Sequence, residues 1–229
     1  MQEQHRRFWN KEYSNPEHLS LSDEPAEDLE KFMRWVGRNA EWPIDPGELA
    51  IDLGCGNGRN LIYLAEQFKL TGAGYDISEV AVKQAERKAK DLPLTFTTRS
   101  IDLPIPKEDG SAAIVLDMMT SHYLPEAKRI ALRDEIVRVL RPGGFLFFKS
   151  FLLEGDLHAK RLLAERPGKE PGTYIHHRIG VPEKVWTEEE IYAFFQPHLE
   201  VRKFLKSHKH VAHGRAFRRR TFSVYCEKM

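Results

Sequence analysis

The chain has 229 residues, 41% of them hydrophobic and 30% charged, with a formal net charge of +1. That length and apolar content suit one folded unit with a substantial core and exclude an intrinsically disordered chain. The near-zero charge excludes a global field toward nucleic acid or membrane, so any such attraction has to be local. No run approaches the roughly 20 apolar residues of a membrane span, since Phe145-Leu146-Phe147-Phe148 stops at Lys149. Cys55 and Cys226 are too few for a disulfide framework, and Met1 to Trp9 lacks the apolar run of a signal peptide. A cytoplasmic location without membrane contact is the expectation.

In chain order, Ser22-Asp23-Glu24-Pro25 opens a helix over about Ala26–Arg38, with Leu29, Phe32, Met33 and Val36 on one face. Trp42-Pro43-Ile44-Asp45-Pro46-Gly47 ends that segment. Short apolar runs then predict strands at Leu49–Leu53, Gly72–Tyr75, Leu94–Thr98, Ala112–Asp117 and Phe145–Ser150. Helices fall between them at about Asn60–Gln67, Glu79–Asp91 and Ala127–Leu140. Strands alternating with helices predict βαβ units and a parallel sheet covered on both faces. Residues 151–186 show no clean period. Thr187-Glu188-Glu189-Glu190 is a capping signal for a helix to about Gln196. Val201–His208 and Thr221–Glu227 close the pattern as an antiparallel hairpin at one sheet edge.

The turn after the first strand reads Asp52-Leu53-Gly54-Cys55-Gly56-Asn57-Gly58-Arg59-Asn60. Glycines there allow a tight turn and close backbone approach to a ligand at the mouth of a doubly wound sheet. The third glycine comes one residue earlier than in the dinucleotide pattern Gly-x-Gly-x-x-Gly, which disfavours a nicotinamide-dependent oxidoreductase. Asp76 ends the second strand about 20 residues after the glycines, where a carboxylate accepts from the hydroxyls of an adenosine ribose. Ser78 is placed to cap the helix that follows.

These segments resemble motif I and its acidic partner in class I S-adenosylmethionine methyltransferases. Ser100-Ile101-Asp102-Leu103 is similar to the adenine-framing segment of that family, Ala112–Asp117 to its motif IV strand, and Leu140-Arg141-Pro142-Gly143-Gly144 to the turn before its fifth strand. The resemblance covers residues 48–150 and the final hairpin. It implies a Rossmann-like seven-stranded, mostly parallel α/β sheet of order 3-2-1-4-5-7-6, with strand seven antiparallel. It also implies S-adenosyl-L-methionine as cofactor, S-adenosyl-L-homocysteine as product, and methyl transfer as the activity. The cofactor would be held by Asp52, Gly54, Cys55, Gly56, Asn57, Gly58 and Asn60 of the turn. Asp76 and Ile77 would take the ribose, Ile101 and Asp102 the adenine, and Asp117 the far end. Phe8-Trp9-Asn10-Lys11-Glu12-Tyr13 resembles the aromatic arm that covers the cofactor in many small methyltransferases, which gives Trp9 and Tyr13 a lid role. The broad group it most resembles holds tellurite-resistance-like and tRNA wobble-uridine-modifying members.

The acceptor side is less direct. Asp117-Met118-Met119-Thr120-Ser121-His122-Tyr123 stands in the loop that in the family faces the methyl, without the Asn-Pro-Pro-Tyr of amino-methylating enzymes. Asp117, His122 and Tyr123 are the candidate catalytic residues, His122 being either a general base or a packing residue. In residues 151–186, Tyr174, His176, His177 and Arg178 are candidates for contact with an anionic or aromatic small-molecule acceptor. No metal is expected, because no cluster with ligand spacing accompanies the His-His pair. Between Val201 and Cys226 stand eight basic residues and no acid, including Arg218, Arg219 and Arg220. That edge reads either as a phosphate-binding surface, for which Arg218 is the candidate contact, or as a solvated hairpin paired with the acidic first 50 residues. Two rival functions follow: an RNA methyltransferase, and a non-catalytic cofactor-binding or interaction module. The expected organisation is one domain over residues 1–229. Residues 1–46 form its helical arm and lid, 47–150 the cofactor core, 151–186 a substrate-recognition insertion, and 187–229 the last helix and hairpin.

Overall fold

A computed structural model of the chain describes residues 2–17, 21–177, 180–207, 211–212, 215–216 and 219–229. The apolar runs of the middle of the chain become β1 (Leu49–Leu53), β2 (Thr71–Asp76), β3 (Leu94–Thr98), β4 (Ala112–Met118) and β5 (Leu140–Phe151). The helices before and between them are α1 (Gln2–Ser14), α2 (Glu27–Asn39), α3 (Arg59–Phe68), α4 (Glu79–Lys88) and α5 (Glu126–Val139). Beyond β5 follow α6 (Leu157–Glu165), β6 (Thr173–Ile175), β7 (Pro182–Lys184), α7 (Glu188–Phe195), β8 (Glu200–Lys206), β9 (Val211–Ala212), β10 (Arg215–Ala216) and β11 (Thr221–Glu227).

The main sheet runs β3-β2-β1-β4-β5-β11-β8, with β11 antiparallel to both neighbours. This is the order 3-2-1-4-5-7-6 expected for a Rossmann-like α/β sheet, β8 and β11 being its sixth and seventh strands. Alternation along each strand sends side chains to two separate cores. Ile51, Leu53, Val115, Leu146, Phe148 and Val224 face α5 and α7. Ala50, Ile114, Leu116, Phe145, Phe147 and Tyr225 face α2, α3 and α4. Phe32 of α2 stacks on Phe147 at 5.0 Å and meets Tyr225 edge-on at 4.9 Å. Each such fully buried side chain contributes roughly 1.5–3 kcal/mol.

Local signals behave as their chemistry requires. The hydroxyl of Ser78 accepts from Ala81 N–H at the start of α4. Thr187 and Glu190 form a reciprocal capping box at the start of α7. The N-terminal arm, expected to be helical, holds α1 and α2. Two features depart from expectation. Residues 151–186 hold α6 and the small antiparallel pair β6–β7. The final strands are joined through β9 and β10, which pair with each other in a separate two-stranded sheet. Among the described residues, no helix is long and apolar enough to cross a membrane.

Candidate active site

The carboxyl ends of β1, β2 and β4 converge on a cavity of about 470 Å³. At its floor the Gly54–Gly58 turn bonds back to β2, Gly54 N–H and Cys55 N–H both donating to the Tyr75 carbonyl at 2.7 and 3.1 Å. Gly56 lies at φ +54°, and a Cβ on it would sit 2.2 Å from the Tyr13 hydroxyl. Only glycine leaves room for α1 to cross so close above the turn.

Asp76 is 8% exposed and sits beside this turn. Its Oδ2 accepts from Gly56 N–H at 2.9 Å and its Oδ1 from Ser78 N–H at 2.8 Å, so the carboxylate ties the glycine turn to the head of α4. Burial nevertheless holds its carboxyl above the usual range, against those N–H donors. Cys55, Asn57, Asn60, Ile77 and Ile101 also line the cavity. Asn57 Nδ2 donates to Ser22 O and Asn60 Oδ1 accepts from Ala26 N–H, so the segment before α2 is fastened over the same opening.

Four predicted residues stand behind the cavity rather than on its surface. Gly58 backs the turn against Ala85 and Phe96. Asp102 lies toward Lys128, 3.8 Å away, while its neighbours Ser100 and Ile101 line the wall. Asp117 is buried, and its Oδ1 accepts from Ser121 N–H at 3.1 Å, shaping the 3-10 turn Ser121–Tyr123. Asp52 is buried with Oδ2 unpartnered among the described residues. Burial, then the Asp76 charge, pushes its carboxyl up to about 7 against the pull of Arg59, and burial pushes Asp117 up to about 6.

Because the folded-state value of Asp52 lies above its reference of 3.8, the folded chain keeps a proton that the unfolded chain releases. Its contribution to stability is therefore full at low pH and falls as pH rises from about 4 to about 7. The substitution Asp52→Asn is expected to reduce that slope and leave the part due to the other raised carboxyls, Asp117 and Asp76 among them. Thermal melting at about pH 5 and about pH 8 measures it. An identical slope in the variant would show that Asp52 is not its source.

The other end of the cavity is aromatic. Met119, with a left-handed φ of 63°, turns the chain sharply out of β4 and delivers the 3-10 turn to the wall. Such strain in a non-glycine residue marks a backbone held for a purpose. Tyr123 packs edge-on against Trp9 of α1 at 5.8 Å, and His122 lies 5.2 Å from Phe151 at the end of β5. Trp9 and Tyr13 both line the cavity, so α1 forms one of its walls. Asn10 Oδ1 anchors that wall by accepting from the Ser78 hydroxyl at 2.8 Å. His122 is 2% exposed, and burial, with Arg219 next, brings its imidazole down to about 3. Burial thus favours its neutral form and makes it a weak base.

The acceptor candidates beyond β5 need correction. Tyr174 is fully buried, and its hydroxyl accepts from Arg219 Nη1, so it is a core residue and touches no part of the cavity. His176 and His177 stack on each other at 5.1 Å, and neither belongs to the cavity lining. Arg178 and Arg218 lie outside the described residues, as do His208, Lys209, His210 and His213. Arg219 and Arg220 turn inward. Arg219 pairs with Asp156 at 2.9 Å and Glu183 at 3.1 Å, while Arg220 Nη1 donates to the Glu154 carbonyl. The described basic side chains near this edge are thus paired largely with acids of residues 154–227, not of the N-terminal segment. Arg202 bonds Glu227 and Lys206 bonds Glu188. Several lining residues were not among the site candidates, Arg59, Thr120, Lys149 and Phe151 among them; His5, half-buried on α1, is another, and its sequence signal was its place four residues before Trp9.

A doubly wound sheet, a glycine cradle closed by a strand-end carboxylate, and an unpartnered acid beneath it fit an adenosine-bearing cation. Residues 50–144 match the model of the family described as methyltransferase domain. That stretch, with the sheet order, supports a class I S-adenosylmethionine-dependent methyltransferase and S-adenosylmethionine as its cofactor. The chain is 32% identical over 145 residues to the 27-O-demethylrifamycin SV methyltransferase of Amycolatopsis mediterranei, covering 61% of this chain and 52% of that protein. It is 30% identical over 127 residues to a tRNA (carboxymethyluridine(34)-5-O)-methyltransferase of Arabidopsis thaliana, covering 52% of this chain and 30% of that one. The chain thus spans about half the length of the first and under a third of the second. A SAM-dependent methyltransferase from Methanosarcina mazei shares the fold, with a TM-score of 0.68 at 21% identity over 85% of this chain and 97% of its own.

Proposed function

We propose that the chain is an enzyme that transfers the methyl group of S-adenosylmethionine to a small, anionic or aromatic acceptor bound beneath α1. The observation that carries this reading is the continuity of the cavity. One end is bordered by Asp76 and the glycine turn, the other by Trp9, His122, Tyr123 and Phe151, and α1 lines both. When bound, the cofactor supplies an activated methyl on a sulfonium, so the protein's own contribution is chiefly positioning. Asp76 would accept from the ribose hydroxyls, and Ile77 and Ile101 would flank the adenine. Asp52 and Asp117 would place negative charge behind the sulfonium. Trp9 and Tyr13 would exclude water from the reacting atoms. In this reading residues 1–229 form one domain, with 1–46 as its lid, and the enzyme works in the cytoplasm.

The cavity walled by α1 and the inward pairing of Arg219 and Arg220 favour a small molecule over RNA. Calorimetric titration with S-adenosylmethionine and, separately, NAD tests the cofactor. Transfer of labelled methyl to metabolite pools and to total tRNA tests the acceptor. Micromolar binding of S-adenosylmethionine alone, with label in the metabolite pool, is expected. Label in tRNA would replace the small-molecule reading with the RNA one, and no cofactor binding by folded protein would overturn both.

A further inference from the structure

The acceptor end of the cavity holds two imidazoles with nothing to bond. Neither Nδ1 nor Nε2 of His122 has a partner among the described residues, nor has Nε2 of His5. They come from different elements, α1 and the 3-10 turn, and both line the cavity. Both pack on the same phenol ring, His122 at 4.2 Å from Tyr123 and His5 at 5.7 Å. A buried polar atom left unbonded is costly, so two rings kept this way on one wall call for a ligand that bonds them.

The surroundings decide its charge. Burial lowers the pKa of both rings, so each is neutral and offers one N–H donor. Arg219, His176 and Arg129 bring positive charge toward His122, and Arg219 stacks over the Phe151 ring at 4.1 Å. Glu183 is taken up by Arg219 and by the Tyr123 hydroxyl, Arg219 also pairs with Asp156, and Arg129 pairs with Glu170. Among the described lining residues the one acid is Asp76, which belongs to the glycine turn at the cofactor end. Neutral N–H donors whose neighbouring acids are already ion-paired suit an oxyanion. The rings of Trp9, Tyr123, His122 and Phe151 follow one another in edge contact and suit a flat apolar body.

We propose that His5 and His122 form a two-imidazole clamp for a carboxylate carried by an aromatic methyl acceptor. This rests on the methyltransferase reading of the site and narrows its acceptor class. His5 is thereby a specificity residue supplied by the same helix that walls the cofactor end.

The test uses protein saturated with S-adenosylhomocysteine and titrated with benzoate and 2-hydroxybenzoate, with benzyl alcohol and cyclohexanecarboxylate as controls lacking the charge or the flat ring. The aromatic carboxylates are expected to bind most tightly. The substitutions His5→Phe and His122→Phe keep an aromatic ring and remove the nitrogens. Each is expected to weaken benzoate about tenfold, equivalent to about 1.4 kcal/mol, while affinity for S-adenosylhomocysteine stays within about threefold. In the unsubstituted protein, addition of benzoate should shift the ring-nitrogen resonances of both histidines, a readout that does not depend on the variants folding. Equal benzoate binding by variants and parent, unmoved resonances, or no benzoate binding by the saturated parent would overturn the clamp. Failure of the parent to bind S-adenosylhomocysteine would instead remove the methyltransferase reading beneath it.

Discussion

Replacing Asp76 with alanine is expected to weaken binding of both S-adenosylmethionine and S-adenosylhomocysteine by about 100-fold, or about 2.7 kcal/mol, in calorimetric titration. Two losses combine in that figure. In the role proposed for it, the carboxylate accepts from the ribose hydroxyls, and charge-assisted bonds of that kind are worth about 1.5–3 kcal/mol. The same carboxylate also holds Gly56 N–H and Ser78 N–H, so its removal loosens the turn that cradles the ligand. Asp76→Asn is expected to fare little better. Its amide would have to present an NH2 group to one of those two N–H donors, setting donor against donor. Unchanged affinity in Asp76→Ala would sink the ribose assignment while leaving the fold untouched.

The second large effect is on stability. Arg219 is the counter-ion of two buried acids, Asp156 at 0% and Glu183 at 2% exposure, reached through separate nitrogens of one guanidinium. The substitution Arg219→Met keeps much of the side-chain bulk over Phe151 and removes the charge. Leaving buried charges uncompensated costs about 3–5 kcal/mol, which for a chain of this size corresponds to a fall in Tm of roughly 10 °C. The deficit should shrink toward acid pH, because a protonated carboxyl needs no counter-ion. Adding Asp156→Asn and Glu183→Gln to Arg219→Met should recover part of the loss, since all three charges are then gone together. A melting temperature within a few degrees of the parent would show that the cluster is solvated and contributes little.

The cofactor half of the site was legible because its chemistry is local in sequence. A strand, a glycine turn, a helix start and an acid at the next strand end are each set by residues within one βαβ unit, and Asp52 to Asp76 contains them all. Sheet order was legible only through resemblance, since spacing alone does not say that β11 enters between β5 and β8. The acceptor half depends on contacts between distant segments. Tyr174 reads as an exposed aromatic among charged neighbours, yet it is buried because Arg219, 45 residues later, satisfies its hydroxyl. Arg219 and Arg220 read as part of a basic edge for the same reason in reverse: their acids lie in a segment without period. The bounds of α1 were hidden because, although Trp9 and Tyr13 stand four residues apart, the rest of Gln2–Ser14 is almost entirely polar. Its packing is against α4 and the 3-10 turn, and His5 acquires meaning only once that turn places Tyr123 beneath it.

The place of β11 in the sheet also governs the order in which the chain is able to fold. Among the described residues β8 has one sheet partner, β11, and β11 leaves the ribosome after it. During synthesis β5 therefore waits with an open edge, and β8 has nothing to pair with until Thr221–Glu227 emerges to lie between them. Closing that gap joins segments far apart in sequence, whose loop entropy is spent before any ladder bond forms. The half built from β1 to β4 carries parallel neighbours made in quick succession, while the other half is completed in a single late insertion. Exposed strand edges of that kind favour wrong pairing between chains, so docking of β11 is the step at which crowding and chaperone supply would tell most on yield.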